Sequence, residues 1–287
     1  MKAYCLIRPQ PHYRREAFQT GLRMAGLDVR NGPPANVGRD TVVLMWNRYG
    51  DNHLLASRVE AAGGTVLVAE NGYINRGGGT PKFDLHEGVE PGHYYALAIG
   101  GHNGSGQWPQ GGEDRLAALD LQLKPWREGG DYILVCPSRN FGQPDMLMPS
   151  GWLQQTIARL RKVNRLPIRV REHPGNSRPP RGLDEELQGA AAVVIWASSA
   201  GVHALAQGVP VAAYAPHWIA KLAAFDDVTE MMTLYGRPDV MEKLENYRRA
   251  AFERLAWAQW TVDEIAGGEP FDHLLRHARQ SESVAAL

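Results

Sequence analysis

Short apolar runs alternate with helix-length amphipathic stretches along the chain, and that alternation constrains the fold more than any other feature. A strand buried on both faces of a parallel sheet reads as a continuous apolar run, and the crossover to the next strand needs a helix. Ala3–Ile7, Thr41–Trp46, Thr65–Ala69 and Tyr94–Ile99 are such runs. Residues 13–25 and 51–62 predict helices between the earlier ones, each ending where glycine can take a left-handed cap. The pattern restarts with a strand at Tyr132–Cys136, a helix at 150–163 and a strand at Ile168–Arg171. A helix at Leu183–Gly189, a strand at Ala192–Trp196, a helix at Val202–Gln207 and a strand at Val209–Tyr214 follow. Residues 240–260 predict one long amphipathic helix carrying Trp257 and Trp260 on one face. The expected fold is α/β: two doubly wound, Rossmann-like domains over residues 1–125 and 126–287, joined by a linker at 124–130. The last helices are expected to pack back on the first domain.

Composition supports two ordinary cores, with 44% apolar and 22% charged residues. No apolar run approaches the roughly 18 residues of a membrane span, and the first run breaks at Arg8, too early for a signal-peptide core. Cys5 and Cys136 lie in apolar runs, which argues against a disulfide framework or a thiolate metal site. A cytoplasmic protein is expected. Its 31 basic residues balance 31 acidic ones, and neither half is basic, so overall charge gives a nucleic-acid partner no support. Locally, eight basic residues between 159 and 181 face a single acid, Glu172.

In open α/β sheets ligands bind beyond the carboxyl ends of the strands. In the second half those positions hold Ser138-Arg139-Asn140, Glu172-His173-Pro174-Gly175 and Ser198-Ser199-Ala200-Gly201. Small hydroxyl residues and Gly201 leading into a helix can seat a phosphate on free amides. The same residues can equally be a plain helix cap, and His173-Pro174 a turn. Their recurrence at consecutive strand ends favours the phosphate reading, with Arg139, Arg171 and His173 adding donors. No Gly-x-Gly-x-x-Gly and no Gly-Lys-Ser/Thr occurs, so dinucleotide-binding and P-loop readings fall away.

The stretch Ile168–Tyr214 resembles the donor domain of GT-B glycosyltransferases. It carries His173-Pro174, Ser198-Ser199-Ala200-Gly201 and Ala204-Leu205-Ala206-Gln207-Gly208-Val209-Pro210-Val211. The His-Pro and Ser-Ser pair is similar to that of capsule Kdo transferases and polysialyltransferases, which use CMP-sugars. The Ala-Leu-x-x-Gly-x-Pro-Val stretch is shared more widely, including with UDP-sugar enzymes. Trp46-Asn47-Arg48-Tyr49-Gly50, Ala69-Glu70-Asn71-Gly72-Tyr73 and the Ala256-Trp257-Ala258-Gln259-Trp260 tail look like phage-encoded glycosyltransferases proposed to decorate hydroxymethylated DNA bases. The resemblance implies two domains facing a central crevice. It also implies a nucleotide-sugar on Ser138, Arg139, Arg171, His173, Ser198, Ser199 and Gly201.

Glycosyl transfer with inversion needs a group to take the acceptor proton. Glu70, after the third strand, is the first candidate, with His102 and Asp51 as competitors; each is equally a solvated loop acid or base. Trp46, Asn47, Tyr49 and Tyr73 are candidate acceptor contacts whose aromatic rings can stack on a sugar or base, or simply fill core. No Asp-x-Asp occurs, so a metal-independent enzyme without cofactor is expected. The expected function is transfer from a nucleotide-sugar, UDP-linked in the first reading, to a hydroxyl, including that of a hydroxymethylated pyrimidine in phage DNA. The alternatives are a CMP-sugar transferase of surface polysaccharide synthesis, a GT-B-shaped epimerase, and a non-catalytic nucleotide- or sugar-binding module.

Overall fold

Strand β1 (Lys2–Cys5) pairs in parallel with β2 (Asp28–Asn31) on one side and β3 (Thr41–Trp46) on the other. The computed structural model describes residues 1–9, 12–74, 94–101, 104–111, 114–119, 121–139, 142–173 and 181–285. They fall into two units, one from Met1–Arg76, Pro81–Gly111 and Trp257–Leu287, the other from Gly112–Ala256. Residues 112–125, placed by the sequence pattern in the first domain, group with the second unit.

The first unit continues through β4 (Thr65–Asn71), β5 (Tyr94–Ile99) and β10 (Gln259–Thr261), giving the order β10-β5-β4-β3-β1-β2. Side chains alternate across a strand, so each face has its own core. Val42, Leu44, Leu67, Ala69, Tyr95 and Leu97 pack with α1 (His12–Met24), α9 (Val262–Gly267) and α10 (Glu269–Ala285). Val43, Met45, Val66 and Val68 pack against Ala56 and Val59 of α2 (Asp51–Ala61).

This sheet departs from the all-parallel expectation, because β5 runs antiparallel to β4 and β10 antiparallel to β5. The long helix expected over 240–260 is also corrected. It spans Pro238–Ala256 as α8, and the chain then turns into β10, so Trp260 is a strand residue. Trp257 and Trp260 still meet edge-to-face, with ring centres 6.1 Å apart.

The second unit has a four-stranded, all-parallel sheet of β6 (Tyr132–Cys136), β7 (Ile168–Val170), β8 (Ala190–Ile195) and β9 (Val211–Ala213), in the order β7-β6-β8-β9. Its helices are α3 (Asp114–Ala118), α4 (Trp152–Val163), α5 (Leu183–Gly189), α6 (Ala200–Ala206), α7 (Val228–Leu234) and α8. Ile133, Val135, Ala192 and Val194 pack with Trp152 and Leu160 of α4 and with Val228 and Met231 of α7. Residues 124–130, the expected linker, are tied into this unit. Lys124 N–H donates to the Ala206 carbonyl, and Arg127 Nη1 donates to the carbonyls of Leu187, Gln188 and Ala190.

Candidate functional site

In the second unit the residues after β6 and β7 open onto a cavity of about 350 Å³. Ser138, Arg139 and Glu172 line it, with Met148 and residues 149–154 at the start of α4. That volume lies within the range of small-ligand sites. Gly151 caps α4 in the left-handed conformation with φ of 79° and no side-chain cap, so the positive end of a 12-residue helix borders the cavity beside the Arg139 guanidinium. Charge there is mixed, one cation and the helix end against one carboxylate.

The strand ends beyond β8 adjoin this region. Ser138 Oγ accepts the Ala197 amide at 3.1 Å, tying the loop after β6 to that after β8. Ser198 Oγ accepts from Ala200 N at 3.2 Å, and exposed Ser199 occupies the N-cap of α6 without a side-chain cap bond. His173 and Ser198 follow strands that flank β6, roughly 10 Å apart at ordinary sheet spacing. Partial desolvation, then the charges of Arg139 and Arg171, hold the His173 imidazole below its usual pKa. The two guanidiniums and the ring therefore share one electrostatic neighbourhood.

Two proposed donor residues are committed elsewhere. The buried Arg171 side chain makes a 2.5 Å ion pair with Glu186 of α5 and donates to the Arg181 carbonyl at 2.8 Å. Its positive charge is therefore largely offset within the fold. The Gly201 amide donates to the Ser198 carbonyl at 3.2 Å. A Cβ on Gly201 would come within 2.6 Å of Ile195 and 2.7 Å of Trp218, so close packing explains this glycine.

In the first unit Tyr73 donates its hydroxyl to the Glu70 carboxylate. Tyr73 is buried and Glu70 half-buried at the end of β4. Alternation along β4 puts Glu70 on the face of Val66 and Val68, whereas Trp46 packs with the opposite core. Trp46 lies beneath Arg14, 4.2 Å from its ring centre, and edge-on to Tyr95. Trp46 and Glu70 thus serve opposite faces of one sheet. Asn47 adopts φ of 50°, a conformation asparagine tolerates better than most residues. Asn52 Nδ2 donates to the carbonyls of Trp46 and Asn47, fixing that turn. Tyr49 is exposed, and Asp51 stands exposed in the first turn of α2, where a carboxylate complements the helix dipole. His102 lies outside the described residues.

Two chains of known structure superimpose over nearly the whole length. The Thermosulfurimonas dismutans KpsC β-Kdo 2,7-transferase aligns with a TM-score of 0.53 and 15% identity, covering 96% of this chain and 100% of its own. The β-Kdo 2,4-transferase of the same organism aligns with a TM-score of 0.51 and 15% identity, covering 90% of each chain. This chain shares their fold. It is the Rossmann-like α/β architecture of GT-B type. No family model matches the sequence, and no curated protein matches it.

Three features of the candidate site and its surroundings escaped the sequence reading. The loop and helix start at 149–154 carry no charge or motif, although they form one wall of the cavity. Arg48, a member of a noted motif, is buried and holds both Glu60 oxygens at 2.6 and 2.7 Å. Its guanidinium also donates to the Gly100 carbonyl. Gln259, wholly buried, accepts from two amides of the loop carrying Tyr73. Among the described residues, no group of three or more His, Cys, Asp and Glu side chains is placed to hold a metal ion.

Proposed function

We propose that this chain is a glycosyltransferase whose nucleotide-sugar donor is held at the strand ends of the second unit. The observation that carries this reading is the cavity at β6 and β7, where Ser138, Arg139, Glu172 and the amino end of α4 converge. The fold shared with two Kdo transferases supports it. Arg139 and the helix end would offset charge developing on the departing phosphate. Glu172, a neighbouring carboxylate, suits the hydroxyls of a ribose or sugar.

In the proposed reaction an acceptor hydroxyl oxygen bonds to the anomeric carbon, and the bond from that carbon to the donor phosphate breaks. The hydroxyl proton passes to a carboxylate, and Glu70 is the proposed base. The Tyr73 hydroxyl donates to that carboxylate and orients it. Asp51, with a sufficient structural role at the start of α2, is the weaker candidate.

Two donor classes have support. The Ala204–Val211 stretch favours a UDP-sugar. The His173-Pro174 and Ser198-Ser199 pair is compatible with a CMP-sugar as the alternative donor. A hydroxymethylated base in DNA as acceptor rests on the first-unit motifs. Its electrostatic support narrows: in the basic cluster at 159–181 Arg169 lies over the Tyr132 ring, Arg171 pairs with Glu186 and Arg181 with Glu185, which leaves Arg159, Arg161, Lys162 and Arg165. Nucleotide release from UDP-, CMP- and GDP-sugars, with glycans and with modified or unmodified DNA as acceptors, tests the proposal. Release with one donor class, abolished by Glu70→Gln, is expected; no release with any combination would overturn it.

A further inference from the structure

The carboxyl end of α4, the turn after it and the edge strand β7 form a surface that combines unopposed positive charge with exposed aliphatic side chains. No acidic residue occurs from Met146 through Arg171. Arg159, Arg161 and Lys162 on α4 and Arg165 in the turn are exposed, and none makes an ion pair among the described residues. Interleaved with them are Val163, Leu166 and Val170, which are 38%, 37% and 41% exposed. They are three of the nine large apolar residues exposed among those described, gathered within eight positions. Asn164 folds the turn on itself, its side chain bonding Leu166 through both N–H, at 3.0 Å, and carbonyl, at 2.9 Å. Leu166 and Arg165 are therefore held out on a fixed turn.

Strand alternation sorts the cations of this region. Ile168 pairs with Ile133, which packs on the α4 side, so Val170 shares that side, whereas Arg169 lies over Tyr132 and Arg171 reaches Glu186 on the α5 side. The four unpaired cations and the three aliphatic residues thus belong to the α4 end of the sheet edge.

We propose that this surface docks on an anionic lipid bilayer. Phosphate groups alone would fit the cations, but aliphatic side chains set among them gain nothing from a nucleic-acid backbone. In the interfacial layer of a bilayer they lose contact with water while the arginines and lysine meet lipid phosphates. The proposed contact is with the interfacial layer; no helix among the described residues is long and apolar enough to cross a membrane. The opposite end of α4 borders the candidate cavity, about 18 Å away along a 12-residue helix. A docked protein would therefore hold that cavity close to acceptors anchored in the membrane.

Flotation of the full chain with phosphatidylcholine vesicles, with and without phosphatidylglycerol, tests this directly. Binding is expected only to the anionic vesicles, falling as salt rises from about 0.1 M to about 1 M, where screening shortens to roughly 3 Å. The exposed triple variant Arg161→Glu, Lys162→Glu, Arg165→Glu should bind roughly 100-fold more weakly. Leu166→Ser should weaken binding at both salt concentrations. Unchanged urea midpoints would show that both variants fold. Equal binding to neutral vesicles, no binding to either kind, or capture of duplex DNA by the same cations without vesicle binding would overturn the proposal.

Discussion

The side-chain oxygen of Gln259 accepts the backbone N–H of Tyr73 at 2.7 Å, across 186 positions of sequence. It also accepts the Ile74 amide at 3.1 Å, and a Cβ on Gly72 would come within 2.8 Å of it. Two motifs far apart in sequence, Ala69–Tyr73 and Ala256–Trp260, are therefore one structural device: the tail strand clamps the loop that carries Tyr73, just after Glu70 at the end of β4. Replacing Gln259 with Leu keeps the bulk but leaves two amides without their acceptor. Urea denaturation should show a loss of roughly 2–4 kcal/mol.

A second expectation separates fold from ligand at Arg171. Its ion pair with Glu186 is buried on both sides, with side-chain exposures of 9% and 11%. Arg171→Met should cost about 3–5 kcal/mol by stranding the carboxylate, and the double variant with Glu186→Met should recover most of it. Denaturation curves of the two variants check this; a stable single variant that loses only nucleotide affinity would place Arg171 in the site instead.

His173 supplies a pH signature. Desolvation, then Arg139 and Arg171, lower its pKa, so the ring is neutral at pH 7 and takes its proton below the ordinary histidine range. Its unfolded-state pKa is the higher one, so this group lowers stability as pH falls through the ordinary value, and the effect levels off below the native pKa. An NMR titration should give a native midpoint below 6.5, and Arg139→Gln should raise it. Insensitivity to that substitution would separate His173 from the cavity.

The thiols should be silent. Burial pushes Cys136 up to about 12 and raises Cys5 as well. Neither should react with a disulfide reagent at pH 8 in the native protein, and both should react in denaturant.

The strands that are apolar on both faces were legible in the sequence. Thr41–Trp46, Tyr94–Ile99 and Tyr132–Cys136 match residue for residue, because burial on both sides leaves an unbroken apolar run. β2 was not legible, since Asp-Val-Arg-Asn at a sheet edge is mostly exposed and carries no such run. β10 hid behind a helical pattern, because three residues are too few to set a period of two after the 19 residues of α8. The direction of β5 leaves no trace in its own residues; it follows from pairing. Ser138, Arg139, His173, Ser198 and Ser199, flagged by charge or motif, follow β6, β7 and β8, whereas Asp51 opens α2 and His102 lies outside the described residues. Residues contributed through backbone and shape, such as 149–154, carry no compositional signal.

The central claim is that the cavity beside Ser138, Arg139 and Glu172 holds the nucleotide of an activated sugar, and isothermal titration with UDP, CMP, GDP and ADP tests it most directly. The account predicts saturable binding of one nucleotide at one site per chain. Arg139→Ala should weaken it at least roughly tenfold, the loss expected for a charge-assisted hydrogen bond. Binding of none of the four, or binding that Arg139→Ala leaves unchanged, would contradict the account.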